Sequence, residues 1–188
     1  MSKAIVIYTS KRGSTEQYAK WIAEELDCVA ISYDSALKKG SGINLYDYDC
    51  IIYGGWIRGS GIVDFDSFRL LIDEGLRPKL IVFGVGVAME SAENYKQVYE
   101  INYKKFAKDG AKNPTLYILS GAYDPKKVSG FDGALMRVMK TVLKSGKTIE
   151  GQADATKMLD RIENGVDLVD RSNITSLVKE AKKMLCSD

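Results

Sequence analysis

The chain has 188 residues, of which 45% are hydrophobic and 28% charged, and its formal net charge is +2 at pH 7. This length and balance predict one globular domain over residues 1–188 with a sizeable core, and the small net charge does not indicate a nucleic-acid partner. The sequence contains no histidine. That excludes Ser-His and Cys-His nucleophilic catalysis and removes the commonest transition-metal ligand, so we expect no metal site.

The cysteines and the apolar runs indicate the cellular compartment. Cys28, Cys50 and Cys186 are odd in number, are widely spaced and form no CxxC motif, which favours a reduced cytoplasmic protein. No apolar run is long enough to span a membrane. Met1-Ser2-Lys3 leads directly into the first predicted strand, so no signal peptide is expected.

Apolar runs alternate with helical patterns along the chain. The predicted strands are short, rich in Ile, Val and Tyr, and apolar on both faces; they span residues 3–8, 28–32, 49–54, 79–84 and 115–120. The predicted helices span residues 14–26, 63–74, 92–108, 132–144 and 173–185, with Ser172 and Asn173 placed to cap the last one and a further short helix near 153–161. This alternation predicts an α/β fold: a doubly wound, five-stranded parallel sheet with helices on both faces.

The stretch Thr9-Ser10-Lys11-Arg12-Gly13-Ser14-Thr15 joins the first predicted strand to the first predicted helix. A helix N-terminus presents free N–H groups and a partial positive charge, which suit a phosphate. The hydroxyls add hydrogen-bond donors, the glycine permits a turn that other residues resist, and the two cations add positive charge. The sequence therefore predicts a phosphate site at residues 9–15, and the alternative is an ordinary turn capped by Ser14.

Other phosphate-binding motifs are incomplete. A dinucleotide loop needs G-x-G-x-x-G, but residues 9–15 hold one glycine, and Gly84-Val85-Gly86 is followed by Met89 where the third glycine belongs. Gly146-Lys147-Thr148 supplies the end of a Walker A motif, yet Thr141 replaces its first glycine and a helical pattern precedes it. A receiver domain needs an acidic pair after the first strand, and this chain has none there.

A resemblance to a known family rests on the same loop. Val6-Ile7-Tyr8-Thr9-Ser10-Lys11-Arg12-Gly13-Ser14-Thr15, followed by Ala19 and Ile22, resembles the flavodoxin signature at every defined position. The resemblance implies a flavodoxin-like fold and an FMN cofactor whose phosphate is bound by residues 9–15. In flavodoxin itself the cofactor lies at the carboxyl ends of strands one and three.

The resemblance extends the flavin site to the ends of the other strands. Gly54, Gly55 and Trp56 come just after strand three, in the stretch "CIIYGGWIRGSGI". The two glycines allow the backbone to approach a flat ligand closely, and the indole could stack on the flavin. The alternative is that Trp56 is a core or surface aromatic residue. "FGVGVAME" supplies the second flavin loop, where many flavodoxins carry a tyrosine; here one flavin face is more open or is covered by Tyr123. The implied cofactor-binding residues are Thr9, Ser10, Lys11, Arg12, Gly13, Ser14, Thr15, Gly54, Gly55, Trp56, Ile57, Arg58, Gly84, Val85, Gly86, Val87 and Tyr123.

A narrower resemblance covers most of the chain. Ile57-Arg58 after the flavin loop, Gly121-Ala122 after strand five, and an aromatic-Asp pair opening a Met- and Lys-rich helix look like the menaquinone-dependent protoporphyrinogen IX dehydrogenase group. In that group FMN takes hydrogen from a porphyrinogen and passes electrons to a quinone at the membrane. The chain departs from that group in two places: residues 122–131 hold fewer Arg and aromatic residues, and residues 88–95 are acidic where the group is basic.

Residues 124–147 form a basic segment. Its cations are Lys126, Lys127, Arg137, Lys140, Lys144 and Lys147, opposed by Asp124 and Asp132. Such a helix beside the flavin could contact anionic lipid or porphyrin carboxylates. The alternative is an ordinary amphipathic surface helix whose inward residues are Leu135, Val138, Met139 and Val142.

Three functions remain open from the sequence. The preferred one is an FMN-binding, flavodoxin-like redox protein that transfers electrons to a partner protein or a quinone, with no catalytic acid or base among its side chains. The second is a dehydrogenase of the protoporphyrinogen type, and the third is a non-redox interaction module. The expected location is the cytoplasm, with peripheral contact at the inner face of the membrane through residues 124–147.

Overall fold

The computed structural model describes residues 3–36, 41–87, 91–104, 106, 112–128, 130–144 and 155–186. The strands are β1 (Ala4–Thr9), β2 (Val29–Ser32), β3 (Cys50–Arg58), β4 (Gly61–Ile62), β5 (Leu80–Gly86), β6 (Thr115–Ser120), β7 (Ala122–Tyr123) and β8 (Val166–Asp167). The α-helices are α1 (Ser14–Leu26), α2 (Tyr33–Ala36), α3 (Phe65–Phe68), α4 (Ala92–Tyr103), α5 (Gly130–Lys144), α6 (Ala155–Asn164) and α7 (Thr175–Leu185).

The main sheet confirms the predicted doubly wound architecture. Its five parallel strands stand in the order β2-β1-β3-β5-β6, and β4 adds an antiparallel hairpin to the end of β3. This is a flavodoxin-like order. The chain runs from β1 outward to β2 and then crosses back to β3, so the strand order reverses between β1 and β3. Ligands of open α/β sheets bind at such a point, beyond the carboxyl ends of the strands.

Side chains of β1 alternate between two cores, one on each face of the sheet. Ala4 and Val6 pack in a cluster with residues of α1 and α7, whereas Ile5 and Ile7 pack in a second cluster with residues of α3 and α4. Successive residues of a strand point to opposite faces, so an apolar strand of this kind needs cover on both sides. Helices supply that cover here.

Helix α1 is firmly seated on the sheet. Tyr18, Ala19, Ile22 and Ala23 are buried at helical spacing on one face, and burying a side chain such as Ile22 stabilises the fold by about 1.5–3 kcal/mol. At the other end Asp27, with φ of 48°, closes the helix by donating its N–H to the carbonyls of the last turn. The N-terminus of α1 is therefore held at the carboxyl end of β1.

Several element boundaries differ from the predictions. β3 continues beyond residue 54 to Arg58, because β5 on one side and β4 at its end both supply hydrogen-bond partners. The helix predicted over 63–74 is wrong over most of its length: α3 is one turn, followed by a 3₁₀ turn at Arg69–Leu71. α4 ends at Tyr103, and most of the remaining predicted range to 108 lies outside the described residues.

The predicted cap of the last helix is also wrong. A 3₁₀ turn at Arg171–Ile174 precedes α7, and the Asp170 carboxylate accepts the hydrogen bond at its start. Asn173 instead donates from Nδ2 to the Tyr18 hydroxyl at 2.8 Å, and that hydroxyl donates to the Ser120 carbonyl at 2.7 Å. These bonds tie the segment before α7 to the end of β6.

The prediction for the inward residues of α5 is wrong at Val138. This residue is 61% exposed, whereas Met139 and Val142 are half-buried and Leu143 is buried. Lys140 and Lys144 form ion pairs with Glu163 of α6 at 2.9 and 2.8 Å. The side chains of Leu135 and Asp132, and the whole of residues 145–147, lie outside the described residues. Within the described ranges, no helix is both long enough and apolar enough to cross a bilayer.

Candidate functional site

The strand register brings the predicted flavin loops to one edge of the sheet. Thr9 pairs with Gly55, Gly55 pairs with Gly84, and Gly86 pairs with Ser120. Parallel strands in this register end together, so the loop after β1, the end of β3, the end of β5 and the segment after β6 are neighbours. The sequence prediction that these segments form one site is consistent with this arrangement.

The loop after β1 leaves the first turn of α1 open. Gly13 is the N-cap with φ of 96°, and its N–H donates to Ser10 Oγ at 3.2 Å. Because glycine has no side chain, residue 13 cannot cap the N–H groups that follow it. A Cβ built at Gly13 would meet no atom within 4 Å, so this turn borders open space.

Ser14 does not cap the helix, so the alternative prediction of an ordinary turn capped by Ser14 is wrong. It is the first residue of α1, and its Oγ accepts a hydrogen bond of 3.4 Å from the N–H of Ala122. Thr15 is buried, at 2% exposure. The start of α1 is thus joined to the segment after β6, while no side chain caps its first turn.

Two cations lie against one indole at this edge. Lys11 Nζ is 5.5 Å and Arg58 Cζ is 5.6 Å from the centroid of the Trp56 ring. Both distances fall within the range of cation–π attraction. Residues 56 and 58 are two apart on β3 and share a face, whereas Lys11 reaches across from the loop after β1.

Asp64 is a site neighbour that the sequence did not reveal. Thr9 Oγ1 donates to Asp64 Oδ2 at 3.0 Å and lies 3.3 Å from the Tyr53 hydroxyl, which donates to the Val63 carbonyl at 2.8 Å. Burial raises the pKa of the Tyr53 phenol, so it stays a donor at neutral pH. The Thr9 hydroxyl hydrogen is directed to this carboxylate.

The glycines near the end of β3 and β5 make room for protein side chains. A Cβ at Gly54 would lie 2.0 Å from the Phe83 ring, and one at Gly55 would lie 2.6 Å from Ile62. A Cβ at Gly84 would lie 2.9 Å from Ile57, so that isoleucine packs over the glycine. The sequence analysis explained Gly54 and Gly55 by close approach of a flat ligand, but contacts with protein side chains already require a glycine at both positions.

The hairpin of β3 and β4 is clamped by Asn102 of α4, which the sequence analysis did not single out. Asn102 is 6% exposed; its Oδ1 accepts from the Ile62 N–H at 2.8 Å, and its Nδ2 donates to the Ser60 carbonyl at 2.9 Å. Ser60 lies in the tight turn between the strands, with φ of 67°. The clamp therefore fixes the hairpin that carries Trp56 and Arg58.

The predicted second flavin loop, which begins at the end of β5, is partly buried in the hydrophobic core. Val85 is 5% exposed and packs with the cluster under α1 and α7, whereas Val87 is half-buried. The Val87 carbonyl accepts from Nη1 of Arg161 at 3.5 Å, and Arg161 is buried on α6. Residues 88–90 of this loop lie outside the described residues. The sequence predicted a short helix near residues 153–161, and α6 spans Ala155–Asn164, but nothing in the sequence indicated the buried arginine.

Tyr123 belongs to β7 and is 7% exposed. Burial raises the pKa of its phenol, Arg12 opposes that rise, and Asp124 adds to it. β7 pairs with β8, which holds this tyrosine in a short two-stranded sheet beside the start of α1. Within the described ranges, no group of three or more Cys, Asp or Glu residues is arranged to hold a metal ion.

Comparison with known proteins places the chain in a family. A family model described as "Flavodoxin domain" matches residues 5–149. The chain belongs to the flavodoxin domain family. Membership of this family implies a flavin cofactor and a redox function, in agreement with the sequence resemblance. The narrower likeness to the protoporphyrinogen dehydrogenase group has no support from the comparisons, and no curated protein matches the chain.

Several solved structures are similar to parts of this chain. A flavodoxin, WrbA-like protein from Agrobacterium tumefaciens is 19% identical with a TM-score of 0.42, over 52% of this chain and 66% of that one. Oxidised flavodoxin 2 from Bacillus cereus is 20% identical with a TM-score of 0.39, over 63% and 86%. Rubredoxin oxygen:oxidoreductase from Desulfovibrio gigas is 14% identical with a TM-score of 0.48, over 100% and 38%. The chain thus spans less than two thirds of the first and third of these proteins.

Proposed function

We propose that the chain binds FMN at the carboxyl ends of β1, β3 and β5 and transfers electrons through it. The observation that carries the proposal is the open first turn of α1, which shares its edge of the sheet with Trp56. An uncapped helix N-terminus suits a terminal phosphate. The residues present fit FMN, because the loop has donors and cations and lacks the further glycines that a dinucleotide needs.

Each part of the site has a role in this proposal. The N–H groups of Ser14 and Thr15 and the hydroxyls of Ser10 and Thr15 would hold the phosphate, and Lys11 and Arg12 would balance its charge. Trp56 offers an aromatic surface to the ring system. FMN supplies the redox chemistry when bound. The protein's contribution is to bind, orient and shield the cofactor, and the proposal requires no acid or base from a side chain.

The cofactor assignment is tested by mass spectrometry of the ligand extracted from purified protein and by titration of the apoprotein with FMN. FAD as the extracted ligand, or no saturable binding of added FMN, would refute it. Thr15→Val keeps the shape of a residue that is 2% exposed but removes its hydroxyl. We expect it to weaken FMN binding by about 1–3 kcal/mol, with Thr15→Ser retaining most of the affinity.

A second candidate is oxidation of a porphyrinogen-type donor with transfer to a quinone, and exposed cations after β7 and on α5 favour it. Lys126 and Lys127 follow β7, whereas Arg137, Val138 and Thr141 lie on α5, and all five residues are exposed. Lys127 has an 81% exposed side chain and lies 3.5 Å from Asp124, and Val138 is 61% exposed. Cations beside an exposed apolar side chain suit an anionic membrane surface or a carboxylated substrate.

Three assays separate the possible functions. Oxidation of protoporphyrinogen with a quinone acceptor supports the dehydrogenase, whereas rapid one-electron exchange with a ferredoxin-type protein supports a carrier. An absorbance spectrum without flavin bands, before and after incubation with FMN, would favour the non-redox module instead.

A further inference from the structure

We infer that Lys11 and Arg58 strengthen the binding of reduced flavin relative to that of oxidised flavin, and so raise the reduction potential of the bound cofactor above that of a site without these cations. The inference rests on the proposed function and concerns how that same site is tuned. Its basis is the placement of two cations on one indole at the edge where the cofactor is proposed to lie.

The geometry fixes both charges close to the flavin region. Arg58 Cζ and Lys11 Nζ lie 5.6 and 5.5 Å from the centre of the Trp56 ring. A flavin ring beside or against this indole lies within one Debye length of both charges, about 8–10 Å at moderate salt. The cations are therefore near enough to respond to the charge of the cofactor.

The backbone that carries Arg58 is held in place. Arg58 pairs with Gly61 across the hairpin, and the adjoining turn is clamped by Asn102 through Ser60 and Ile62. The guanidinium is consequently presented by a fixed strand end, although the side chain itself is exposed. A cation that is carried by a held strand end and rests on the Trp56 ring starts near an added negative charge, so only a small rearrangement is needed to stabilise that charge.

Reduction changes the charge of the ring system in the direction that these cations favour. Two electrons and one proton convert the neutral oxidised isoalloxazine into an anion, so reduction adds one negative charge. Two described carboxylates near this edge of the sheet have other partners: Asp64 accepts a hydrogen bond from Thr9, and Asp124 lies 3.5 Å from Lys127.

The predicted size follows from charges at an exposed rim. A charge several ångströms from the flavin in a partly aqueous setting stabilises the reduced form modestly, because solvent screens most of the attraction. We therefore expect Arg58→Gln to raise the Kd of reduced FMN about fivefold more than the Kd of oxidised FMN. For a two-electron couple this corresponds to a lowering of the potential by about 20 mV. Lys11→Gln is expected to act in the same direction.

The experiment measures the Kd of oxidised FMN aerobically and of dithionite-reduced FMN anaerobically, for the wild type, Arg58→Gln and Arg58→Lys. Lys182→Gln is the matched control, because Lys182 pairs with Glu25 near the far end of α1, about 18 Å along that helix from Gly13. We expect Arg58→Lys and the control to keep the wild-type ratio of the two Kd values, and 1 M salt to reduce the effect of Arg58→Gln.

The outcomes are distinguishable. Equal weakening of both flavin forms by Arg58→Gln would overturn the inference and make the arginine a general binding residue. A shift of equal size in the Lys182→Gln control would overturn it as well. Failure of the wild type to bind oxidised FMN would instead refute the proposed function.

Discussion

Asn102 provides the sharpest test of how the site is built. Asn102→Ala leaves the buried N–H of Ile62 and the partly buried carbonyl of Ser60 without their side-chain partner. An unsatisfied buried group costs about 1–3 kcal/mol, and a lost partly exposed bond costs about 0.5–1.5 kcal/mol. We therefore expect the free energy of unfolding to fall by about 2–4 kcal/mol.

Urea unfolding measures this loss. With a slope of about 2 kcal/mol/M, the midpoint should fall by about 1–2 M while the slope is unchanged. Gln97→Ala is the control, because Gln97 accepts an exposed hydrogen bond from the Ser60 hydroxyl at 2.8 Å in the same turn. Its expected cost is under about 0.5 kcal/mol. FMN affinity should fall in Asn102→Ala alone, since only that variant frees the hairpin carrying Trp56. A stability loss equal to that of the control would refute the reasoning.

The remaining predictions concern packing, charge and partners. Gly54→Ala should lower the free energy of unfolding by about 1–3 kcal/mol, because its Cβ would lie 2.0 Å from the Phe83 ring. In thermal unfolding, the double variant that also carries Phe83→Leu should regain part of this loss. Lys144 and Lys140 lower the pKa of Glu163. Their ion pairs should therefore stabilise the fold above about pH 4.5, and this stabilisation should be lost as the pH falls below that value. Glu163→Gln should remove this part of the dependence of unfolding free energy on pH. Replacement of Lys126 and Lys127 by glutamate should slow electron exchange with an anionic partner at low salt and leave FMN affinity unchanged. Stopped-flow kinetics measures the exchange rate. Equal rates for the variant and the wild type would show that these lysines do not bind the partner.

The parallel sheet was predictable because its signals are local and redundant. Each buried strand is a short apolar run, and β6 matches the predicted 115–120 at both ends. The loop at residues 9–15 was predictable for the same reason, since its hydroxyls, glycine and cations are contiguous. The turn after residue 62 was mispredicted as a long helix, because its apolar spacing is satisfied by one helical turn and a 3₁₀ turn.

The parts of the site that were missed depend on contacts far apart in sequence. Asn102 reaches the hairpin across 40 residues to Ile62, and Asp64 meets Thr9 across 55 residues. Arg161 contacts Val87 across 74 residues. A polar residue on an amphipathic helix gives no local sign that it will be buried against a distant carbonyl, so no pattern along the chain could separate these residues from solvated ones.

The pairing of β7 with β8 has a consequence for how the rim of the site opens. The Leu168 N–H donates to the Gly121 carbonyl at 3.3 Å, and the Gly121 N–H donates to the Gly86 carbonyl at 2.8 Å. A chain of backbone bonds therefore runs from the segment that follows α6, through the end of β6, into β5. The amide of Leu168 should accordingly exchange its hydrogen before the amide of Gly121 does. Local opening at this edge of the sheet would then begin in the C-terminal segment after α6, although most strands of the edge come from the N-terminal two thirds of the chain.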